Sequence, residues 1–225
     1  MVSTAVRVLR VSKLFGAVRA LRSVTCEFEW GNVTVVRGGN GSGKSTLLGI
    51  VAGRGRPTVG QVEYGDGLWY GGAFNRGSVG WVGHESLCYA DLSGRENVHL
   101  AARLYGLDAH GAYREASERF DLAAFGDRIV RTYSRGQQQR LSVARSLVHR
   151  PRLVVFDEPT AGLDAKATAV LVGAVRSEAA RGAAIVVATH DEAFANAVGD
   201  RTIWLEEGRL VTSDAPNAAA GTGIA

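Results

Sequence analysis

Gly38-Gly39-Asn40-Gly41-Ser42-Gly43-Lys44-Ser45 decides how this chain is read. The stretch matches the phosphate-binding pattern G-x-x-x-x-G-K-[ST] at every fixed position. The β-branched run Val33-Thr34-Val35-Val36 precedes it, and Ser45-Thr46-Leu47-Leu48-Gly49-Ile50-Val51-Ala52 follows with helical character. A loop between a strand and a helix is the setting this chemistry requires. Glycines there bring bare backbone N–H groups close to phosphate oxygens, and the helix N-terminus adds the positive end of its dipole. Lys44 is then expected to reach the outer phosphates, and the Ser45 hydroxyl to sit on Mg²⁺. The alternative is a glycine-rich turn with a surface lysine, and the flanking strand and helix weigh against it.

A second acidic element follows downstream. Leu153-Val154-Val155-Phe156 is a continuous apolar run that ends in Asp157-Glu158. Such a run suits a strand buried in a parallel sheet. An Asp at the carboxyl end of such a strand is how phosphate-loop enzymes hold Mg²⁺. Successive strand side chains point to opposite faces, so Asp157 and Glu158 can divide the work, one on the metal and one on the attacking water. The next apolar strand, Ile185-Val186-Val187-Ala188-Thr189, ends in His190. Ligands in parallel sheets gather at the carboxyl ends of strands, where Lys44, Asp157, Glu158 and His190 all fall. Asp191 is placed to cap a helix from Glu192 to Val198.

Ser134-Arg135-Gly136-Gln137 opens a helix running toward Leu147. Ser134 with Gln137 three residues later is a capping box, which starts a helix. A capped helix end beside a glycine is equally an anion site, and periodicity does not separate the two.

The rest of the chain frames these motifs. Its 225 residues, 46% hydrophobic and 21% charged, suit one soluble globular unit with a sizeable core. No apolar run approaches bilayer-spanning length, and the first residues lack the pattern of a secretion signal. Cys26 and Cys88 form neither a disulfide framework nor a metal-ligand spacing, so a cytosolic setting is expected. The net charge is +4, carried almost wholly by arginine, with lysine only at Lys13, Lys44 and Lys166. No basic run is interleaved with aromatics, so no nucleic-acid partner is expected.

Along the chain, strands are expected at Ala5–Val11, Leu21–Trp30, Val33–Val36, Gly60–Tyr64 and Gly80–Gly83. Helices dominate from about Ser86 to Arg150. One of them places Val98, Ala101, Ala102 and Tyr105 on a single face, and another covers Tyr113–Phe120. A helix over Ala165–Ala180 separates the two later strands, and Thr202–Leu205 with Arg209–Thr212 reads as a closing hairpin. The expected fold class is α/β, a phosphate-loop NTPase core with an N-terminal antiparallel β subdomain and an inserted helical subdomain. The division is 1–85 and 151–214 for core and β subdomain, 86–150 for the helical insertion, and 215–225 for a loose tail.

Taken in order and spacing, the phosphate loop, Ser134-Arg135-Gly136-Gln137, Asp157-Glu158, Ala161-Gly162-Leu163-Asp164 and His190 resemble the ATP-binding subunit of an ABC transporter over nearly the whole chain. The Ser-x-Gly-Gln segment discriminates, because most other phosphate-loop proteins lack it. The resemblance implies ATP and Mg²⁺ as cofactors. It makes Phe15 the aromatic that stacks on adenine and Gly38, Gly39, Asn40, Gly41, Ser42, Gly43, Lys44, Ser45 and Thr46 the triphosphate cradle. It makes Glu158 the general base and His190 the residue at the γ-phosphate. Ser134, Gly136 and Gln137 would meet the nucleotide of a second ATPase subunit, and Asp164 would lie in the loop that crosses to it. Further implied partners are integral membrane permease subunits, reached from the cytoplasmic face of the membrane.

Two positions depart from the family pattern. His84 stands where the family usually has a glutamine bridging Mg²⁺ and the transport interface. Arg135 replaces a glycine in the Ser-Gly-Gly-Gln segment. The string Val82 to Asn97, followed by Ala102-Arg103-Leu104-Tyr105-Gly106-Leu107, is similar to the haem-exporter ATPase of cytochrome c maturation and its export relatives. Export, with haem or another small hydrophobic cargo, is the expected direction. The competing expectation is a soluble ABC ATPase acting on ribosomes or nucleic acid. Such proteins usually carry paired ATPase units, long coiled coils or zinc motifs, none of which is visible here.

Overall fold

The computed structural model describes residues 3–70, 73–83 and 86–213. His84 and the 215–225 tail therefore lie outside the described residues.

Among the described residues, two larger sheets organise the fold. Strands β1 (Thr4–Phe15) and β2 (Val18–Glu29) form an antiparallel pair, and β4 (Val59–Tyr64) joins the other edge of β1. The larger sheet has six strands. Its order is β11 (Arg209–Ser213), β10 (Arg201–Glu206), β3 (Val33–Arg37), β9 (Ala184–Ala188), β8 (Leu153–Asp157) and β7 (Val79–Val82). All neighbours in it are parallel except β10 and β11, which form the expected hairpin. A short hairpin, β5 (Trp69–Tyr70) and β6 (Ala73–Phe74), lies between β4 and β7. The helices are α1 (Lys44–Val51), α2 (Gly94–Leu104), α3 (Ala109–Phe120), α4 (Arg135–Leu147), α5 (Ala165–Ala180) and α6 (Glu192–Val198). α2, α3 and α4 all fall between β7 and β8, and the α/β element order matches the expected class.

Residue type explains the placement. Every residue of β8 and β9 is buried, so both strands need helices or a second sheet on each face. Their side chains alternate accordingly. Val154, Phe156, Ile185 and Val187 enter a core shared with α2 to α6. Leu153, Val155, Ala184, Val186 and Ala188 enter a second core beneath α1 and the antiparallel sheet. In β1 the alternation Val6, Val8 is broken by a bulge, where Arg10 takes φ 49° and the register to both neighbours shifts. The extra residue puts Val11 rather than Arg10 into the core.

Short polar residues start the helices. Ser93 and Glu96 form a capping box on α2, and Asp108, Asp164 and Asp191 accept backbone N–H bonds at the starts of α3, α5 and α6. The expected buried face of α2 holds for Val98, Ala101 and Ala102, but Tyr105 is 42% exposed. The helix ends at Leu104, so the fourth periodic position falls past its C-terminus. Tyr105 instead stacks on His149, ring centroids 3.9 Å apart and nearly coplanar at 6°. Burial holds the His149 imidazole well below its ordinary value, at about 4.

A buried charged contact ties α3 to α5, and Lys166 of α5 adds a second at Asp121, just past the end of α3. Glu178 is 2% exposed and accepts from Arg119 at 2.8 Å and from Arg181 on its other oxygen. Arg119 also donates to the Ala174 carbonyl at 3.1 Å.

Candidate active site

β3 ends at Arg37 and the chain turns at once into the glycine loop. Gly38 has φ 146°, and a Cβ there would fall 2.1 Å from the Leu205 carbonyl oxygen. Gly43 caps α1 at φ 103°, with the Ala20 carbonyl 2.5 Å from where a Cβ would stand. Only glycine combines these backbone angles with such close approach. The first turn of α1 carries no carboxylate, and no side chain caps its N–H groups, so they remain available to an anion. Lys44 lies back along the loop, its Nζ donating to the carbonyls of Gly38 at 2.8 Å and Gly39 at 3.0 Å. Gly43→Ala is expected to displace the loop and weaken nucleotide binding at least tenfold while the thermal transition stays cooperative; nucleotide titration and a melting curve measure the two.

β8 delivers the acids. Asp157 is 3% exposed, and its Oδ1 is buried with no hydrogen-bond partner. A carboxylate oxygen in that condition suits a hard cation, and Ser45 supplies a hydroxyl on the same cleft. The donor chemistry thus fits Mg²⁺, with Asp157 and Ser45 as the holding residues. Among the described residues there is no cluster of three or more His, Cys, Asp and Glu side chains able to hold a metal by itself.

Glu158 follows with φ 53°, a left-handed conformation that a non-glycine residue adopts only under constraint. The constraint is visible. β8 and β9 run parallel with Asp157 opposite Ala188, and the Glu158 N–H donates to the Ala188 carbonyl at 2.8 Å. This register brings the ends of the two strands together. The Glu158 carboxylate, 10% exposed, meets His190 Nδ1 at 2.9 Å. Thr189, 2% exposed, accepts from the Asp191 N–H at 3.1 Å and so fixes the turn that carries His190.

These groups share one cleft of about 460 Å³, lined by Phe15, Asn40 to Thr46, Asp157, Glu158 and His190. Gly38 and Gly39 do not line it; they shape the loop from behind. Phe15 stands at the end of β1, 56% exposed, with Lys13 Nζ 5.1 Å from its ring centre. Val18, Arg19 and Ala20 at the start of β2 form the remaining wall, and no motif marked them in advance.

The second group of sequence-singled residues lies elsewhere. Ser134, Gly136, Gln137 and Asp164 do not line this cleft. Ser134 caps α4, with the Gln137 N–H donating to its hydroxyl at 3.2 Å and the Gln137 amide oxygen accepting from the Ser134 N–H at 3.1 Å. The capping-box geometry is therefore present, at an exposed helix end whose first turn is free of acids. Gly136 lets α4 approach the following loop, since a Cβ there would stand 3.0 Å from the Gly162 carbonyl. The stem of Arg135 lies over Gly162. Asp164 accepts from the Ala167 N–H at 2.7 Å. A link missed in the sequence joins this segment to the acids: Gln139 Nε2 donates to the Pro159 carbonyl at 2.9 Å.

The family model described as ABC transporter matches residues 21–161. The chain belongs to the ABC transporter family, as its ATP-binding ATPase domain. The ATPase is 34% identical to the daunorubicin resistance ATP-binding protein DrrA3 of Streptomyces coeruleorubidus, over 98% of this chain and 72% of that protein. It is 36% identical to the ribose import ATP-binding protein RbsA 2 of Streptomyces avermitilis over 91% of its length, but spans only 42% of that protein. Among solved structures, it superposes on a dimeric ATP-binding cassette in a post-hydrolysis state with ADP and phosphate. The TM-score is 0.82 at 26% identity, covering 93% of this chain and 97% of that one. The ABC ATPase fold and ATP as the nucleotide follow from these matches. Among the described residues, no helix is long and apolar enough to cross a membrane.

Proposed function

We propose that the ATPase works in a pair, each member completing the other's ATP site, and that the pair drives membrane permease subunits from the cytoplasmic face. The observation that carries this reading is the division of the motif residues. The phosphate loop, Asp157, Glu158 and His190 share one cleft, whereas the capped helix start at Ser134 is exposed away from it. A site with a strong phosphate cradle and no partner for its outer face suits closure by a second copy or a close paralogue.

In the proposed chemistry, Lys44 and the N–H groups of the loop bind the phosphates, and Phe15 stacks on the base. When bound, Mg²⁺ would neutralise developing phosphate charge, held by Ser45 and Asp157. Glu158 orients the attacking water and takes its proton, and His190, through its contact with Glu158, fixes the carboxylate's direction. Ser134, Gly136 and Gln137 of one member address the outer phosphate in the other, and Asp164 starts the helix after the crossing loop.

Ser134→Ala is expected to leave the ATP affinity of the isolated subunit within about twofold and to cut turnover of the assembled complex by about tenfold or more, the scale of a lost donor at a transition-state charge. Loss of the cap should cost about 1 kcal/mol in a melting experiment. A drop in the isolated subunit's affinity equal to the drop in turnover would sink the shared-site reading.

For direction, we propose export of a small hydrophobic compound. The resemblance of the Val82 to Asn97 string to export ATPases and the likeness to DrrA3, which is named for drug resistance, favour it. Neither relative above is named for haem. Import is the second reading, favoured by the likeness to RbsA 2. ATP-dependent cargo accumulation in inside-out vesicles containing the cognate permease supports export, and accumulation in right-side-out vesicles supports import. Recovery of the ATPase with nucleic acid in a salt-sensitive manner, and not with membranes carrying the permease, would favour the soluble alternative instead.

A further inference from the structure

A second cavity, of about 300 Å³, lies between β1, β2, β4 and the β10–β11 hairpin. Three arginines are among its lining residues, Arg19, Arg22 and Arg209. Their meeting is imposed by the backbone. The Arg22 N–H donates to the Gly208 carbonyl at 2.7 Å, and Gly208 turns the hairpin at φ 77°. A Cβ at Gly208 would stand 2.7 Å from the Ala20 carbonyl, so the hairpin tip is seated on β2 and delivers Arg209 beside Arg22.

Among the described residues, no carboxylate lies within 4.0 Å of any of the three. Arg22 Nε is moreover buried with no hydrogen-bond partner. Guanidinium groups stay charged at any physiological pH, so this arrangement gathers like charge around one cavity and leaves a buried donor unmet. A ligand with several anionic oxygens relieves both at once, because arginine forks pair with phosphate oxygens in twos. Leu14 and Val59 add an exposed aliphatic wall, which suits a phosphate ester better than a bare carboxylate.

We propose that this cavity binds a phosphate-bearing anion, separately from the nucleotide cleft. Arg19 lines both cavities and forms their shared wall. The same chemistry is offered by a free phosphate compound and by a lipid headgroup.

The test uses the full chain carrying Lys44→Ala, which disables the phosphate loop, and titrates it calorimetrically with inorganic pyrophosphate. One equivalent should bind. Adding Arg209→Gln, at an exposed position, should weaken it about tenfold or more, the loss expected on removing a charge-assisted hydrogen bond. Arg22→Gln should act in the same direction, with a melting curve to confirm folding. Arg114→Gln, which removes the same charge from α3, should change affinity less than twofold. Co-sedimentation with phosphatidylcholine vesicles, with and without phosphatidic acid, separates the sources. Pyrophosphate binding without vesicle binding assigns a soluble anion. Sedimentation that needs both phosphatidic acid and Arg209 assigns a headgroup. No binding of either probe, or equal losses in Arg209→Gln and Arg114→Gln, overturns the proposal.

Discussion

Glu158→Gln should bind ATP as tightly as the parent protein and turn it over about 10² to 10⁴ times more slowly, the range supplied by a positioned general base. The amide keeps the size of the carboxylate and can still accept from His190, now 2.9 Å from the acid. It cannot take a proton from water. The backbone strain at φ 53° belongs to the main chain, fixed by the Ala188 bond, so stability should change little. With hydrolysis blocked, ATP should hold two chains together, and light scattering in the presence of ATP and Mg²⁺ should report the doubled mass. His190→Ala frees the carboxylate without removing it and should produce a smaller fall in turnover. Unaltered hydrolysis in Glu158→Gln would remove this residue from the chemistry.

Lys44→Ala strikes an earlier step. The ammonium group is the one positive side chain of the loop itself, and each charge-assisted bond it would form to a phosphate contributes about 1.5–3 kcal/mol, so affinity for ATP should fall by about 10². The readout is thermal. At ATP a hundredfold above its dissociation constant the parent protein should gain about 2.7 kcal/mol of stability, whereas the variant at the same concentration should gain only about 0.4 kcal/mol. Without nucleotide the variant should also be slightly less stable, because the Gly38 and Gly39 carbonyls lose a donor. A variant that melts at the parental temperature with ATP present would show that phosphate binding does not pass through this loop.

How much of this was legible beforehand depends on how local the cause was. The strands ending in Asp157 and His190 were readable because continuous apolar runs admit few placements other than the middle of a parallel sheet. The starts of α4 and α6 were readable because Ser134 and Asp191 bond to N–H groups within three residues of themselves. Tyr105 was misplaced since periodicity carries no information about where a helix stops. Val18, Arg19 and Ala20 in the cleft wall were invisible, because the seating of β2 against the glycine loop is a tertiary contact between ordinary residue types. The bond from Gln139 to the Pro159 carbonyl was hidden for the same reason. The expectation that Phe15 and the Ser134 helix belong to one machine came from the likeness to a known family and not from the residues themselves.

Glu178 carries a last consequence. Its carboxylate is anchored in α5, and the arginine that reaches it from α3 belongs to the segment inserted between β7 and β8. Separating that pair would leave a nearly dry carboxylate with Arg181 as its one remaining ion-pair partner among the described residues, at a cost below the ~3–5 kcal/mol of a fully uncompensated buried charge. Sliding of the inserted helices across α5 is therefore resisted. With the bonds from Arg119 to the Ala174 carbonyl and from Lys166 to Asp121 beside it, this junction favours displacement of α3 and α5 as one body.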